Sequence, residues 1–209
     1  MNQGPRICII DYGVGNTESV SNALQYLGYK KLVLSDQYHE IEKADVLILP
    51  GVGAFGEAKK NLDARNLVDI LNEFVLVKKK TILGICLGMQ LLATNSEENG
   101  FHSGLNWIPG KVKKLSLPEG YLIPHVGWNS IEITKETPLY NKLHSGSNFY
   151  FDHSFHYECE KQYISAHCNY GIQIAASVQK DNIFGVQFHP EKSQNVGLKL
   201  FRSFFNSVV

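Results

Sequence analysis

Cysteine is sparse in this sequence: Cys8, Cys86, Cys159 and Cys168 form no CxxC pair and no zinc spacing. That excludes a disulfide scaffold and a structural zinc site, and it fits a reducing, cytoplasmic compartment. No stretch approaches the ~18 consecutive apolar residues of a membrane span. The first ten residues carry one Arg and a short apolar run that soon meets Asp11, too little for the apolar core of a signal peptide. A charge excess is missing too, since 20 basic and 20 acidic residues cancel. No overall positive field therefore argues for nucleic acid or an anionic membrane. The sequence also has no GxxxxGK[ST] phosphate loop, internal repeat, low-complexity tract or interdomain linker. Nothing in it asks for a cofactor or a metal.

What is present is enough apolar material for a core. At 209 residues and 44% hydrophobic content, the chain is expected to form one domain over residues 1–209. Residues 7–10 read as a buried parallel strand and 18–27 as a helix. Further strands are expected at 32–34, 46–49 and 81–83, with helices near 54–61 and 67–78. This βαβ alternation predicts an α/β fold whose mainly parallel sheet carries helices on both faces. Residues 111–115, 125–133, 149–157 and 164–167 lie between turn formers and are expected to add antiparallel strands. A hairpin follows, with 174–179 and 183–188 flanking Asp181 and Asn182. A last helix is expected over 194–205.

The sharpest local signal is Gly84-Ile85-Cys86-Leu87-Gly88, set between the strand at 81–83 and a helix-like run at 89–93. This is the nucleophile-elbow pattern with Cys in place of Ser. Small flanking residues let the strand turn sharply into a helix and project the nucleophile. At a helix N-terminus the dipole favours thiolate, the reactive species, and the Leu87 N–H is placed to meet an oxyanion. Taken alone, Cys86 fits a small buried hydrophobe as well as a nucleophile.

His189-Pro190-Glu191 supplies what the elbow lacks. Pro190 biases His189 towards an extended conformation, and in extended chain side chains two apart share a face, so Glu191 is expected to reach His189. His189 would then take the proton from Cys86 and return it to a leaving amine, while Glu191 orients the imidazole. Individually, His189 fits a hydrogen-bonded structural histidine and Glu191 a solvated charge. The other seven histidines, His125 and His153 among them, read as structural.

Assembled, these residues resemble the class I, or triad, glutamine amidotransferases. More narrowly, the chain is similar to the glutaminase-subunit family of imidazole glycerol phosphate synthase. The similarity runs from Ile9-Ile10-Asp11-Tyr12-Gly13-Val14-Gly15-Asn16 to Gln187-Phe188-His189-Pro190-Glu191-Lys192-Ser193. It implies a flavodoxin-like fold and a glutaminase that hydrolyses L-glutamine and passes ammonia to a separate synthase or cyclase subunit. That partner is implied to be a (β/α)8 barrel forming a heterodimer with this chain. Pro50-Gly51-Val52-Gly53-Ala54-Phe55-Gly56 matches the family's oxyanion strand, with a peptide N–H near Gly51, Val52 and Gly53 turning towards the site. Leu87 is implied as the second donor, and Gln90 and Ser154 as substrate-binding. Val126, Trp128, Asn129, Tyr150 and Lys192 match positions that face the synthase.

Two departures stand in Phe151-Asp152-His153-Ser154-Phe155, where the family has an apolar residue in place of Asp152 and Tyr in place of Phe155. They leave open a paralogous amidotransferase that feeds amination of a bacterial surface sugar. A non-catalytic regulatory subunit of the same fold would be expected to lack one of Cys86, His189 or Glu191, and a cysteine peptidase would not need the partner-facing segment.

Overall fold

The computed structural model describes residues 4–208. It begins with β1 (Ile7–Ile10), α1 (Thr17–Tyr26), β2 (Leu32–Ser35), α2 (Tyr38–Lys43), β3 (Val46–Gly51), α3 (Phe55–Ala64) and α4 (Leu67–Leu71). A π-helical turn (Asn72–Val77), β4 (Thr81–Cys86), α5 (Leu87–Gln90), β5 (Asn95–Ser96), β6 (His102–Ser103), β7 (Gly110–Lys114) and β8 (His125–Ile133) follow. The chain closes with β9 (Asn148–His153), β10 (Phe155–Cys159), β11 (Ile164–Tyr170), β12 (Ile172–Lys180), β13 (Ile183–Val186) and α6 (Gln194–Val208).

Nine strands form one sheet in the order β2-β1-β3-β4-β13-β12-β11-β8-β9. Its first five members run parallel, and their order is the flavodoxin-like one. The next strands are antiparallel, as expected for the second half of the chain. All four residues of β1 are buried, because both faces of the sheet are covered. Ile7 and Ile9 enter one apolar cluster with Val20 and Leu24 of α1 and Leu200, Phe201, Phe204 and Phe205 of α6. Cys8 and Ile10 enter the other, with Ile41 of α2, Leu62 of α3 and Leu67 of α4. Among the described residues no helix is long and apolar enough to cross a membrane.

Three expectations are corrected. Residues 149–157 do not form one strand: the chain breaks at Ser154, leaving β9 in the large sheet and β10 in a separate four-stranded sheet with β7, β5 and β6. The stretch at 111–115 therefore joins that second sheet instead of extending the first. The corner at Ser154 is held by the Leu115 N–H, which donates to Ser154 O at 2.9 Å, and by a His153 Nδ1 bond to Phe155 O at 2.8 Å. The helix expected at 67–78 divides into α4 and the π turn, which buries Phe74 and Val75 and leaves Val77 exposed. Helix α2 was unread, since Tyr38–Lys43 buries only Ile41.

Candidate active site

Three neighbouring parallel strands end together. β3 pairs with β4 until Gly51 lies opposite Cys86, and β13 pairs with β4 until Val186 lies opposite Ile85. One residue further, Gln187 comes alongside Cys86, and His189 follows. Carboxyl ends of strands in an open α/β sheet are where such sites gather. Cys86 itself adopts φ 54° and ψ −109°, a conformation costing about 1–3 kcal/mol in a non-glycine residue. The surroundings enforce it, because α5 packs directly on the strand ends. A Cβ on Gly88 would lie 1.8 Å from Leu49 O, and one on Gly84 would lie 2.6 Å from Gly88 O. The helix begins at Leu87, earlier than the 89–93 run predicts, and lasts one turn. Its dipole is correspondingly smaller than a long helix would supply, so charge support for the sulfur falls mainly to His189.

His189 is 2% exposed and extended, at φ −102° and ψ 95°. Glu191 lies in a short 3-10 turn, Pro190–Lys192, where extended chain was predicted. It still meets the imidazole: His189 Nδ1 donates to Glu191 Oε1 at 2.7 Å. The Glu191 side chain is only 1% exposed. Asn16 Nδ2 donates to the same oxygen at 3.4 Å, while Oε2 has no partner. Cys86 and His189 line one cavity, and interaction with the sulfur favours the protonated ring. Burial pulls the imidazole pKa down, but interactions with Cys86 and Glu191 together outweigh it and raise the value to about 10. A ring that holds its proton beside the sulfur is the partner a thiolate nucleophile needs.

In front of Cys86 lies a cavity of about 270 Å³, sized for a small metabolite. Val52, Gly53, Leu87, Gln90 and Ser154 all line it with Cys86 and His189. Gly51 does not: it is packed beneath, where a Cβ would lie 2.8 Å from Gly88 N and from Tyr12 Oη. Tyr12 Oη donates to Pro50 O at 2.6 Å, which fixes the peptide ahead of Gly51 and leaves the Val52–Gly53 stretch as the wall. Gln90 Nε2 donates both to Phe155 O at 2.9 Å and to Gln187 Oε1 at 3.0 Å, so its own Oε1 is the atom left to face a ligand. Sequence reasoning missed two residues here. Glu98 lines the cavity while its Oε2 accepts the Phe55 N–H at 2.8 Å, yet it sits in the polar stretch Asn95–Asn99, which reads as a solvated loop. Gln187 is fully buried behind Cys86, and its place in the motif around His189 was the available signal.

The residues expected to face a synthase lie on β8, on β9 and in the Pro190–Lys192 turn. Val126 is 53% exposed and Trp128 49%, both on the outward face of β8. Trp128 makes an edge-on contact with Tyr150 at 6.2 Å between centroids, and Lys192 Nζ sits 5.7 Å from the Tyr150 ring. Asn129 is separated from this group. It alternates to the inward face, where its Nδ2 donates to Asn169 O at 3.1 Å and contacts His125 Nε2 at 3.4 Å. Tyr150 ties the outer face to the triad, since its carbonyl accepts the His189 N–H at 2.8 Å.

Residues 8–208 match the family described as glutamine amidotransferase class-I. The chain is 48% identical over 203 residues to imidazole glycerol phosphate synthase subunit HisH 2 of Vibrio vulnificus, covering 97% of this chain and 95% of that one. It is also 48% identical over 198 residues to the HisH subunit of Bacillus cytotoxicus, covering 95% and 93%. Among solved structures, PurLQS from Thermotoga maritima superposes with a TM-score of 0.73 at 21% identity, covering 99% of this chain and 100% of that chain. A glutamine amidotransferase from the same organism superposes with a TM-score of 0.62 at 16% identity, covering 97% and 81%. At those identities the superpositions speak for the fold alone, whereas the family match spans the elbow, the His-Pro-Glu turn and the sheet between them: the chain belongs to the class-I glutamine amidotransferases.

Proposed function

We propose that this chain is the glutaminase subunit of an imidazole glycerol phosphate synthase. It hydrolyses L-glutamine and supplies ammonia to a cyclase subunit that makes imidazole glycerol phosphate and AICAR in histidine biosynthesis. The observation that carries the chemistry is the buried grouping of Glu191, His189 and Cys86, in which Glu191 holds His189 Nδ1 and His189 lines one cavity with Cys86. Near-full-length identity to HisH subunits supports the acceptor.

Cys86 Sγ attacks the side-chain amide carbon of glutamine. The Leu87 N–H and a peptide N–H from the Val52–Gly53 wall receive the developing oxyanion. His189 gives its proton to the departing nitrogen, which leaves as ammonia, and a glutamyl thioester remains on Cys86. The now neutral His189 takes a proton from water as the water attacks the thioester, and glutamate is released. Gln90 Oε1 and Glu98 offer acceptors for the substrate's α-ammonium group, and Ser154 offers a hydroxyl at the wall.

The partner is a barrel-shaped synthase subunit docked over Val126, Trp128, Tyr150 and Lys192 as a heterodimer. A second acceptor keeps a place because Asp152 puts a carboxylate at the cavity rim, where the resemblance implies an apolar residue. In that case the partner aminates a sugar.

Reconstitution with each candidate synthase tests this reading. Cys86→Ala should abolish glutamine-dependent product formation and leave ammonium-dependent formation largely intact. Glutamine turnover by the variant would remove Cys86 as nucleophile, and turnover of glutamine that stimulates neither synthase would remove the acceptor assignment.

A further inference from the structure

Behind the cavity a chain of oriented amides leads to the sulfur. Phe155 O, at the start of β10, accepts from His153 Nδ1 at 2.8 Å and from Gln90 Nε2 at 2.9 Å. The second proton of Gln90 Nε2 goes to Gln187 Oε1 at 3.0 Å. Gln187 Nε2 then points at Cys86 Sγ at 3.7 Å. Amide orientation is set by partners, and here one fixed group decides both. Turning Gln90 round would set its carbonyl oxygen against Phe155 O and against Gln187 Oε1. Turning Gln187 round would set two amino groups against each other and an oxygen against the sulfur. The backbone carbonyl at the Ser154 corner thus dictates that an N–H, and not a lone pair, meets Cys86.

We propose that Gln187 is a positioning residue for the glutaminase reaction: its oriented Nε2–H donates to the Cys86 sulfur and stabilises the attacking thiolate from the side opposite the substrate. The inference rests on the assignment of Cys86 as nucleophile. Hydrogen bonds to an ionised group favour that form, and burial strengthens this one, since Gln187 is 0% and Cys86 6% exposed. His189 must leave the thiolate to protonate the departing nitrogen, whereas Gln187 keeps its contact throughout. It therefore holds the sulfur's direction while the general acid changes partner.

The test is Gln187→Met in the full chain, which keeps the length and removes the donor. Two readouts are followed: the pH profile of Cys86 alkylation by iodoacetamide, and kcat and KM for glutamine with the synthase present. The alkylation midpoint should move up by about one pH unit, a tenfold loss of thiolate, and kcat should fall about tenfold with KM within a factor of two. An unchanged alkylation profile, or a rise in KM with kcat intact, overturns the proposal and leaves Gln187 a structural amide. Should Gln187→Met not fold, the wild-type chain gives the answer by NMR. The Gln187 side-chain amide signals should shift with pH in step with Cys86 alkylation, and Cys86→Ala should abolish that shift; signals that ignore the sulfur overturn the proposal. Alkylation and NMR need no turnover. A chain that passes them yet hydrolyses no glutamine would therefore refute the functional reading and leave the hydrogen bond standing.

Discussion

His189 is held protonated by two neighbours at once, and the two can be separated. Burial acts against its charge, so the rise to about 10 exists only because interactions with Cys86 and Glu191 together outweigh it. In Cys86→Ala one of these supports is gone, and an imidazole titration followed by NMR should fall from about 10 towards the ordinary value near 6.5. The sign for stability follows. A raised folded-state value contributes stability that is fully present below about pH 6.5 and is lost as pH climbs through the folded-state value. The wild type should therefore lose more stability than Cys86→Ala between pH 7 and 10, read as the shift in urea midpoint. Equal losses would mean that the sulfur does not support the imidazolium. At this scale the sequence was readable where geometry is tied to a short motif: Glu191 reaches His189, and His189 and Cys86 line one cavity. Gln187 was not, because its role depends on which way an amide faces, and that is decided by Phe155 O in another sheet.

Elements tell the same story with different physics. Strand β1 was legible as an unbroken apolar run and helix α6 by its apolar period, which buries Leu200, Phe201, Phe204 and Phe205. The break between β9 and β10 was not, because Phe149 to Tyr157 alternates evenly in sequence, and only tertiary pairing shows that the chain changes sheets at Ser154. That junction also holds a titratable pair. His125 Nδ1 and His153 Nε2 are 3.0 Å apart, and His125 stacks between Phe151 and Tyr170. His153 Nδ1 must donate to Phe155 O, so its Nε2 accepts from His125 Nδ1, and the contact survives only while His153 is neutral. Burial lowers His125 to about 4; burial and the neighbouring histidines, opposed by the backbone bond to Phe155, lower His153 to about 3. Unfolded histidine titrates near 6.5, so between there and the folded values the unfolded chain binds more protons and stability falls as pH is lowered. From pH 6.5 to 5 His153 alone should cost about 2 kcal/mol. His153→Gln keeps a donor for Phe155 O but cannot titrate, so its urea midpoint should drop roughly half as much between pH 7 and 5 as the wild type's. A wild-type slope in the variant would place the acid sensitivity elsewhere.

For the molecule as a whole, the cavity-lining Asp152 pairs across the strands with exposed Val126, two residues from exposed Trp128. Ammonia released to water at neutral pH is mostly protonated and no longer nucleophilic, so a glutaminase that feeds a synthase requires a sealed mouth. Val126, paired across the strands with the cavity-lining Asp152, and Trp128 are exposed apolar side chains of β8. Trp128 packs edge-on against Tyr150, whose carbonyl holds the His189 backbone, so pressure on this face is mechanically close to the triad. Large aromatic side chains at the centre of an interface commonly carry about 2 kcal/mol or more of its energy. Trp128→Ala should therefore weaken synthase binding by roughly thirtyfold. At saturating partner it should also release ammonia to solvent, so that glutamate formation exceeds amination while Cys86 still alkylates as in the wild type. The chain alone should turn over glutamine slowly and accelerate when the synthase and its acceptor ligand bind. The measurement is the glutamate-to-product ratio of the reconstituted pair, with affinity determined separately. Unchanged affinity together with a one-to-one ratio would make Trp128 an ordinary surface aromatic and would move the docking face off β8.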